Sequence, residues 1–293
     1  MAQPNTTALH RRTLLALGAG AALTASMAPP AQAATRDAFG DLEREYAARL
    51  GVFAYDTATG RTLTHRADER FPMCSVFKAP AAAAVLRDGV DLTKRIHYTQ
   101  QELTDSGYAP VTEKHLDTGM TVEELCAAAV SHSDNAAANF LLRELGGPTA
   151  ITRFARSLGD PVTRLDRWEP DLNSAEPWRE TDTTRPRAIA RTYAKFILGD
   201  VLRPADRTRL TSWMIANSTN VTRFRAGLPA DWVLADKTGG ASTYGVANDV
   251  GVVWPPGRPP LVIAVLTTTY AAEGPSKNEL VARVAGVVAA ELT

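Results

Sequence analysis

The sequence has few of the residues on which several common classes of protein depend. It holds 2 cysteines in 293 residues, too few for a disulfide scaffold or a zinc site with four cysteine ligands. Its 32 basic residues balance its 32 acidic residues, which argues against a nucleic-acid-binding protein and against a highly charged disordered chain. With 45% hydrophobic residues, the chain can bury a core in one large domain or two small ones.

Histidine and lysine are also scarce. The chain has 5 histidines, and the four beyond the first 33 residues show no metal-ligand spacing. We therefore expect no metal site. Only 6 of the 32 basic residues are lysines, so each lysine within a motif makes that motif more specific.

The first 33 residues have the pattern of a secretory signal. Arg11 and Arg12 precede an apolar run that lasts to about Met27, and an A-x-A cleavage site ends at Ala33. The run is shorter than the roughly 20 residues of a spanning helix, and the paired arginines indicate the twin-arginine export route. We expect residues 1–33 to be removed, leaving a secreted, slightly acidic chain with no membrane anchor.

Strand patterns lie towards both ends of the remaining chain, and helical patterns lie between them. Strand-forming residues bounded by turns and loops predict strands over 51–55, 61–65, 232–237, 248–254 and 261–268. Helical spacing, prolines and caps predict helices over 121–131, 135–145, 148–158, 186–198, 207–216 and 276–292. Capping boxes at Thr121 with Glu124 and at Ser276 with Glu279 are expected to begin two of these helices.

This order predicts an α/β fold of the α+β type within residues 34–293. One antiparallel sheet is formed by both termini and flanked by helices, with an all-helical lobe inserted. The sheet lobe is expected over about 34–66 and 217–293, and the helical lobe over about 67–216. A cleft between the lobes is the natural place for a ligand.

Ser75-Val76-Phe77-Lys78 places a serine and a lysine three residues apart at the start of a predicted helix. Residues with this spacing share a helix face, roughly 5–6 Å apart at Cβ. A lysine whose pKa is lowered by burial and neighbouring cations can then accept the serine proton. The pattern alone is weak, and a capping serine with a surface lysine is the structural alternative.

Ser133-Asp134-Asn135 follows, between two predicted helices. Ser133 can relay a proton to a leaving group, and Asn135 can hydrogen-bond a substrate amide. All three residue types also cap helices, which is the alternative. His132 suggests a Ser-His-Asp triad, but the chain has no G-x-S-x-G elbow and adjacency in sequence does not make a triad.

Lys237-Thr238-Gly239-Gly240 comes at the end of a predicted strand. The glycines would let a substrate lie against the strand edge, and the Gly240 amide could serve an oxyanion hole. Lys237 and Thr238 could bind a carboxylate. The alternative is a strand that ends in a glycine turn.

S-x-x-K, S-D-N and K-T-G in this order resemble the motif set of class A β-lactamases and penicillin-binding proteins. The resemblance covers about Phe39 to Leu292, and two of the 6 lysines fall inside the motifs. The segment Arg167-Trp168-Glu169-Pro170-Asp171-Leu172-Asn173 resembles the class A Ω-loop, with aspartate where glutamate is commoner after the proline. Glu169 and Asn173 can face one water on a tight turn; a solvated acidic loop is the alternative.

The resemblance implies a catalytic role for five of these residues. Ser75 is the nucleophile, and Lys78 and Glu169 are the contested acylation bases. Glu169 with Asn173 activates the deacylating water, and Ser133 passes a proton to the ring nitrogen. A D,D-peptidase would share the three motifs but lack the Glu169–Asn173 pair. An antibiotic-sensing receptor, the other rival, would need membrane spans.

The resemblance also implies binding and structural roles. The backbone N–H groups of Ser75 and Gly240 form the oxyanion hole, and Arg167 with Asp182 forms the ion pair that closes the Ω-loop. The implied substrate-binding residues are Asn135, Asn173, Lys237, Thr238, Gly239, Arg223 and Tyr108. The implied partner is a small β-lactam, bound by a monomer that contacts neither nucleic acid nor membrane.

Five positions depart from the family pattern or match it only in part. Val246 stands where many members carry a substrate-binding arginine, and Arg223 resembles the arginine that some members use instead. Tyr108 resembles the aromatic residue at the cleft mouth, with a core tyrosine as the alternative. Cys74 and Cys126 each resemble one half of a disulfide whose other half is alanine here, so we expect two free, buried thiols.

Overall fold

The computed structural model describes the backbone from Pro30 to Thr293 and the side chains from Ala38 onward. Residues 1–29, which hold most of the predicted signal segment, lie outside the described residues. The strands are β1 (Ala48–Asp56), β2 (Thr62–His65), β3 (Phe71–Pro72), β4 (Arg95–Ile96), β5 (Met120–Thr121), β6 (Thr183–Thr184), β7 (Val233–Ala241), β8 (Val246–Trp254) and β9 (Leu261–Thr269).

Helices fill most of the interval between β3 and β7 and flank the large sheet. They are α1 (Pro30–Tyr46), α2 (Lys78–Arg87), α3 (Gln100–Ser106), α4 (Val122–Ser131), α5 (Asn135–Glu144), α6 (Thr149–Ser157), α7 (Pro186–Ile197), α8 (Pro204–Ile215), α9 (Phe224–Gly227) and α10 (Asn278–Leu292). Short 3₁₀ turns lie at Cys74–Phe77, Thr112–His115 and Asp171–Asn173.

Five strands form one antiparallel sheet in the order β2-β1-β9-β8-β7. Strand β1 pairs with β9 along its whole length, from Ala48 opposite Thr269 to Asp56 opposite Leu261. The predicted sheet built from both termini is therefore confirmed. The segment between the termini is mainly helical and adds the two-residue strands β3 to β6, which pair as β3 with β6 and β4 with β5.

Each face of this sheet is covered, so successive side chains of β9 enter different cores. Leu261 and Ile263 pack with α1, α9 and α10 on one face. Val262 and Ala264 pack on the other face with α2, α7 and the helices beyond them. Strand β9 is buried at all nine positions, which explains why its sequence reads as a continuous apolar run.

Several predicted boundaries differ from the structure: β1 begins at Ala48 rather than at residue 51, and α8 at Pro204 rather than at residue 207. Two further differences have a structural cause. Strand β7 does not end at Lys237 but continues to Ala241, because Gly239 and Gly240 keep their pairing with β8. The predicted Ser276 capping box does not form: α10 begins at Asn278, and Ser276 Oγ instead donates to the carbonyl oxygen of Ala241. The Thr121–Glu124 capping box at the start of α4 is present.

Both cysteines are free and fully buried, and burial raises the pKa of each thiol. Cys74 precedes Ser75, and Cys126 lies on α4 in the helical core. We expect a thiol reagent to titrate two groups per chain after unfolding and to react far more slowly with the folded protein, because the thiolate is the reactive form. Fewer than two groups in the unfolded chain would contradict free thiols.

Candidate active site

The 3₁₀ turn at Cys74–Phe77 presents Ser75, and Lys78 begins α2 directly after it. This turn packs against strand β7 at Gly239. A Cβ atom at Gly239 would lie 2.8 Å from the carbonyl oxygen of Met73 and 3.0 Å from Val76 Cγ2. The glycine therefore makes room for the serine-bearing turn, a reason for glycine here that the sequence did not indicate. Gly240 remains exposed at the strand.

Lys78 is fully buried, and its ammonium group donates to three oxygens of other segments. Lys78 Nζ lies 2.6 Å from Asn135 Oδ1, 2.8 Å from the Ser133 carbonyl oxygen and 3.0 Å from Glu169 Oε1. Burial lowers the pKa of Lys78, and the Glu169 carboxylate opposes that shift. The lysine thus connects the S-x-x-K motif to S-D-N and to the Ω-loop.

Ser75 Oγ donates to Glu169 Oε1 at 3.3 Å, the same oxygen that Lys78 contacts. The sequence spacing predicted a direct pairing of Ser75 with Lys78. In the structure, the serine and lysine instead converge on the carboxylate. Glu169 is buried, and Asn173 Nδ2 donates to its other oxygen, Oε2, at 2.5 Å.

The backbone of Glu169 is fixed by a residue that sequence reasoning missed. Asn139 Oδ1 accepts from the Glu169 N–H at 3.0 Å, and Asn139 Nδ2 donates to the Glu169 carbonyl oxygen at 3.0 Å. The Glu169–Pro170 peptide bond is cis. Asn139 lies four residues after Asn135 on α5 and therefore on the same face of the helix. That spacing is the sequence feature that could have indicated Asn139 as a site residue.

Arg167 and Asp182 close the base of the Ω-loop. Arg167 Nε lies 2.6 Å from Asp182 Oδ2, and Asp182 Oδ1 accepts from the N–H groups of Asp166 and Arg167 at 2.7 and 3.0 Å. Arg167 Nη2 also donates to Ser174 Oγ at 2.9 Å. A long loop with its ends and interior bonded in this way is held in one conformation.

Lys237 approaches the same centre from strand β7. Its Nζ donates to Ser133 Oγ at 3.0 Å and to the Thr238 carbonyl oxygen at 2.9 Å. Burial lowers the pKa of Lys237, and the positive charge of Lys78 adds to the effect. Ser133, at a positive φ of 58°, thus lies between the two lysines. Thr219, a residue that sequence reasoning missed, hydrogen-bonds the Thr238 hydroxyl.

The chain as a whole was compared with known proteins. A family model for the Beta-lactamase enzyme family matches residues 34–292. A β-lactamase of Kitasatospora aureofaciens is 61% identical over 303 positions, covering 97% of each chain. This chain belongs to the β-lactamase family.

Solved structures of β-lactamases share its fold. The Streptomyces albus G β-lactamase has a TM-score of 0.87 at 57% identity, covering 89% of this chain and all of that one. A class A β-lactamase of the last common ancestor of Gram-negative bacteria has a TM-score of 0.85 at 51% identity, covering 89% and 100%. These likenesses identify a class A β-lactamase.

Arg223 is committed mainly to the backbone of this β-lactamase. Its Nη1 donates to the carbonyl oxygens of Gly239 and Asn248, both at 2.7 Å, and its Nε donates to Asn278 Oδ1 at 2.9 Å. Only Nη2, on the side of Gly240, is left without a partner among the described residues. The residue predicted to bind substrate therefore also ties β7 to β8 and α10.

Tyr108 is 58% exposed, so the alternative of a core tyrosine is wrong. Its carbonyl oxygen accepts from the Asn135 N–H at 2.8 Å, which holds its segment beside S-D-N. An open cavity of about 480 Å³ lies between the Ω-loop and the end of β7. Asn173 and Ser174 line one side, and Gly240 and Ala241 line the other.

Proposed function

We propose that the enzyme hydrolyses the β-lactam ring of penicillins and cephalosporins through an acyl-enzyme on Ser75, without a cofactor, and so confers resistance to these antibiotics. The observation that carries this proposal is the position of Glu169. One of its carboxylate oxygens meets Ser75 Oγ and Lys78 Nζ, while Asn173 holds the other. One buried carboxylate can then accept a proton from the serine in acylation and from a hydrolytic water in deacylation.

In acylation, Ser75 Oγ attacks the ring carbonyl carbon and the carbon–nitrogen bond of the ring breaks. The 3.3 Å contact supports Glu169 as the group that receives the serine proton. Ser133 Oγ gives a proton to the departing nitrogen and is held for this by Lys237. Lys78 Nζ, 3.5 Å from Ser133 Oγ, replaces that proton and takes up the one held by Glu169, 3.0 Å away, so the carboxylate is ionised again before deacylation. The N–H groups of Ser75 and Gly240 stabilise the developing oxyanion.

In deacylation, a water between Glu169 and Asn173 loses a proton to the carboxylate and attacks the acyl carbon. The bond to Ser75 Oγ then breaks, the serine regains a proton and a substituted β-amino acid leaves. The short Asn173–Glu169 contact supports this role, because both side chains point to one place on the loop. A D,D-peptidase, the alternative function, has no need of that pair.

Polar groups around Ser75 orient the β-lactam for attack. Lys237 and Thr238 bind the substrate carboxylate with Nη2 of Arg223, and Asn135 binds the side-chain amide of the β-lactam. Tyr108 lies at the cleft mouth, and Gly239 supports the strand edge. The predicted sheet lobe (34–66 and 217–293) and helical lobe (67–216) would each supply part of this site.

The enzyme is also proposed to act outside the cytoplasm, as a monomer. The amino-terminal pattern supports twin-arginine export and removal of residues 1–33. Within residues 30–293, no helix has the length and apolarity needed to cross a membrane. The balanced charge supports a partner that is a small β-lactam rather than a nucleic acid.

The proposal is tested by mixing the purified enzyme with nitrocefin in a stopped-flow spectrometer and recording intact mass spectra in parallel. We expect many turnovers per enzyme and a transient adduct of one substrate mass on Ser75. Stoichiometric acylation without turnover would favour the D,D-peptidase instead. Turnover that stops on addition of a chelator would contradict the absence of a metal.

A further inference from the structure

A second cavity, of about 280 Å³, lies beside α7, and none of the predicted site residues lines it. Ala188, Arg191, Thr192 and Lys195 form one wall. These positions recur at helical spacing, so they share one face of α7. Arg185, directly before the helix, also lines the cavity.

Positively charged side chains outnumber carboxylates around this cavity. Four cationic side chains line it (Arg185, Arg187, Arg191 and Lys195), against the two carboxylates of Asp68 and Asp160. Both carboxylates are already bonded. Asp68 accepts two hydrogen bonds from Arg187 at 2.8 and 2.9 Å, and Asp160 accepts from the N–H groups of Val162 and Thr163 at 2.8 and 2.9 Å.

Two of the arginines have no acceptor or carboxylate partner, although the Arg191 guanidinium lies over the Phe53 ring, 5.9 Å from its centroid. Within residues 38–293, the side chains of Arg185 and Arg191 form no ion pair and no hydrogen bond, and Arg185 Nε is buried without an acceptor. A buried donor without an acceptor is unfavourable, and water or a ligand normally satisfies it. The hydrogen bond from Arg187 lowers the pKa of Asp68, and the charges of Arg185 and Arg191 add to this. Arg185 and Arg191 thus line the same cavity as the Asp68 carboxylate.

The start of α7 adds to the positive potential. The helix begins at Pro186 and has 12 residues, and Ala188 in its first turn lines the cavity. Pro186 has no N–H, and the N–H groups of Arg187 and Ile189 donate to the carbonyl oxygens of Ala67 and Arg185. The Ala188 N–H is therefore the first-turn donor left for a ligand, and the helix dipole favours an anion there. At about 30 Å³ per water, the cavity has room for roughly nine waters, or for a small oxyanion with part of its hydration shell.

We propose that this cavity is a binding site for a divalent oxyanion, phosphate or sulfate, held by Arg185 and Arg191. Two planar guanidinium groups suit the oxygens of such an anion, since each can donate two parallel hydrogen bonds. Arg185 follows strand β6, which pairs with β3 just ahead of the Ser75 turn. Binding would stabilise the folded state by linkage without contact with the β-lactam.

The test is isothermal titration with inorganic phosphate at constant ionic strength, set with chloride, on the wild type, Arg185→Gln, Arg191→Gln and Arg153→Gln. Arg153 is the matched control because it is an exposed arginine that does not line the cavity. We expect one saturable site, displaced by sulfate, with the Kd raised at least tenfold in the first two variants and within twofold of the wild type in the control.

Circular dichroism melting in chloride would check that each variant folds. Arg191 is exposed, so its variant stays informative even if Arg185→Gln fails to fold. No saturable binding by the wild type would overturn the proposal. So would equal affinity in all four proteins, or an equal phosphate-induced rise in Tm, because that result marks a general salt effect.

Discussion

Glu169→Ala is expected to stop the reaction at the acyl-enzyme and to lower kcat by about 10²–10⁴-fold, the usual contribution of a general base. The variant loses the carboxylate that Asn173 contacts, so the deacylating water has no proton acceptor. Lys78 stays bonded to Asn135 and to the Ser133 carbonyl, which leaves a second candidate base for acylation. A long-lived adduct should therefore accumulate on Ser75.

Intact mass spectrometry after seconds to hours with benzylpenicillin measures this adduct, and stopped-flow nitrocefin assays measure the turnover. Glu180→Ala is the matched control, because Glu180 is an exposed glutamate in the same loop, and its turnover should stay within about twofold of the wild type. An alanine variant at Glu169 that neither acylates nor turns over would show that Lys78 cannot replace Glu169 as the acylation base. One that turns over normally would remove Glu169 from the mechanism.

Asp182→Asn is expected to lower the free energy of unfolding by about 2–3 kcal/mol. Removing one partner of a fully buried ion pair costs roughly 3–5 kcal/mol. The loss should be smaller here because the Arg167 side chain is 28% exposed, although Asp182 is 1% exposed. Asparagine tolerates the positive φ of 59° at this position, so backbone strain should not contribute to the difference.

Thermal melting checks this expectation, and the Tm should fall by roughly 4–12 °C for a chain of this size. Asp171→Asn is the matched control, since Asp171 is an exposed carboxylate of the same loop and its Tm should change little. If the Tm of both variants equals that of the wild type, the Arg167–Asp182 pair does not stabilise the loop. Deacylation should also slow in Asp182→Asn, because Glu169 is carried by the loosened loop.

The sequence predicted the sheet and the chemical groups of the site better than their mutual contacts. Order and spacing predicted a sheet from both termini, since the apolar runs of β1 and β9 are local signals. The convergence of Ser75 and Lys78 on Glu169 could not be read from spacing, because it depends on how the Ω-loop packs 94 positions away. Only the family resemblance placed these segments together.

Local patterns failed where a tertiary contact competed with them. Ser276 has the spacing of a capping box, yet its hydroxyl bonds to Ala241 at the end of β7. Gly239 looked like a strand terminator, yet its missing Cβ admits the turn that carries Ser75. Asn139 had no motif at all, because its partner is the backbone of a distant loop.

Strand β1 leaves the ribosome more than 200 residues before its neighbour β9. At about 5–20 residues per second, the β1–β2 hairpin waits roughly 10–40 s with an unpaired edge, and an isolated hairpin is only marginally stable in water. The central sheet can therefore close only after β9 has been synthesised. A prematurely terminated chain that stops before β7 would carry Ser75, Lys78 and Glu169 but no Lys237 beside Ser133.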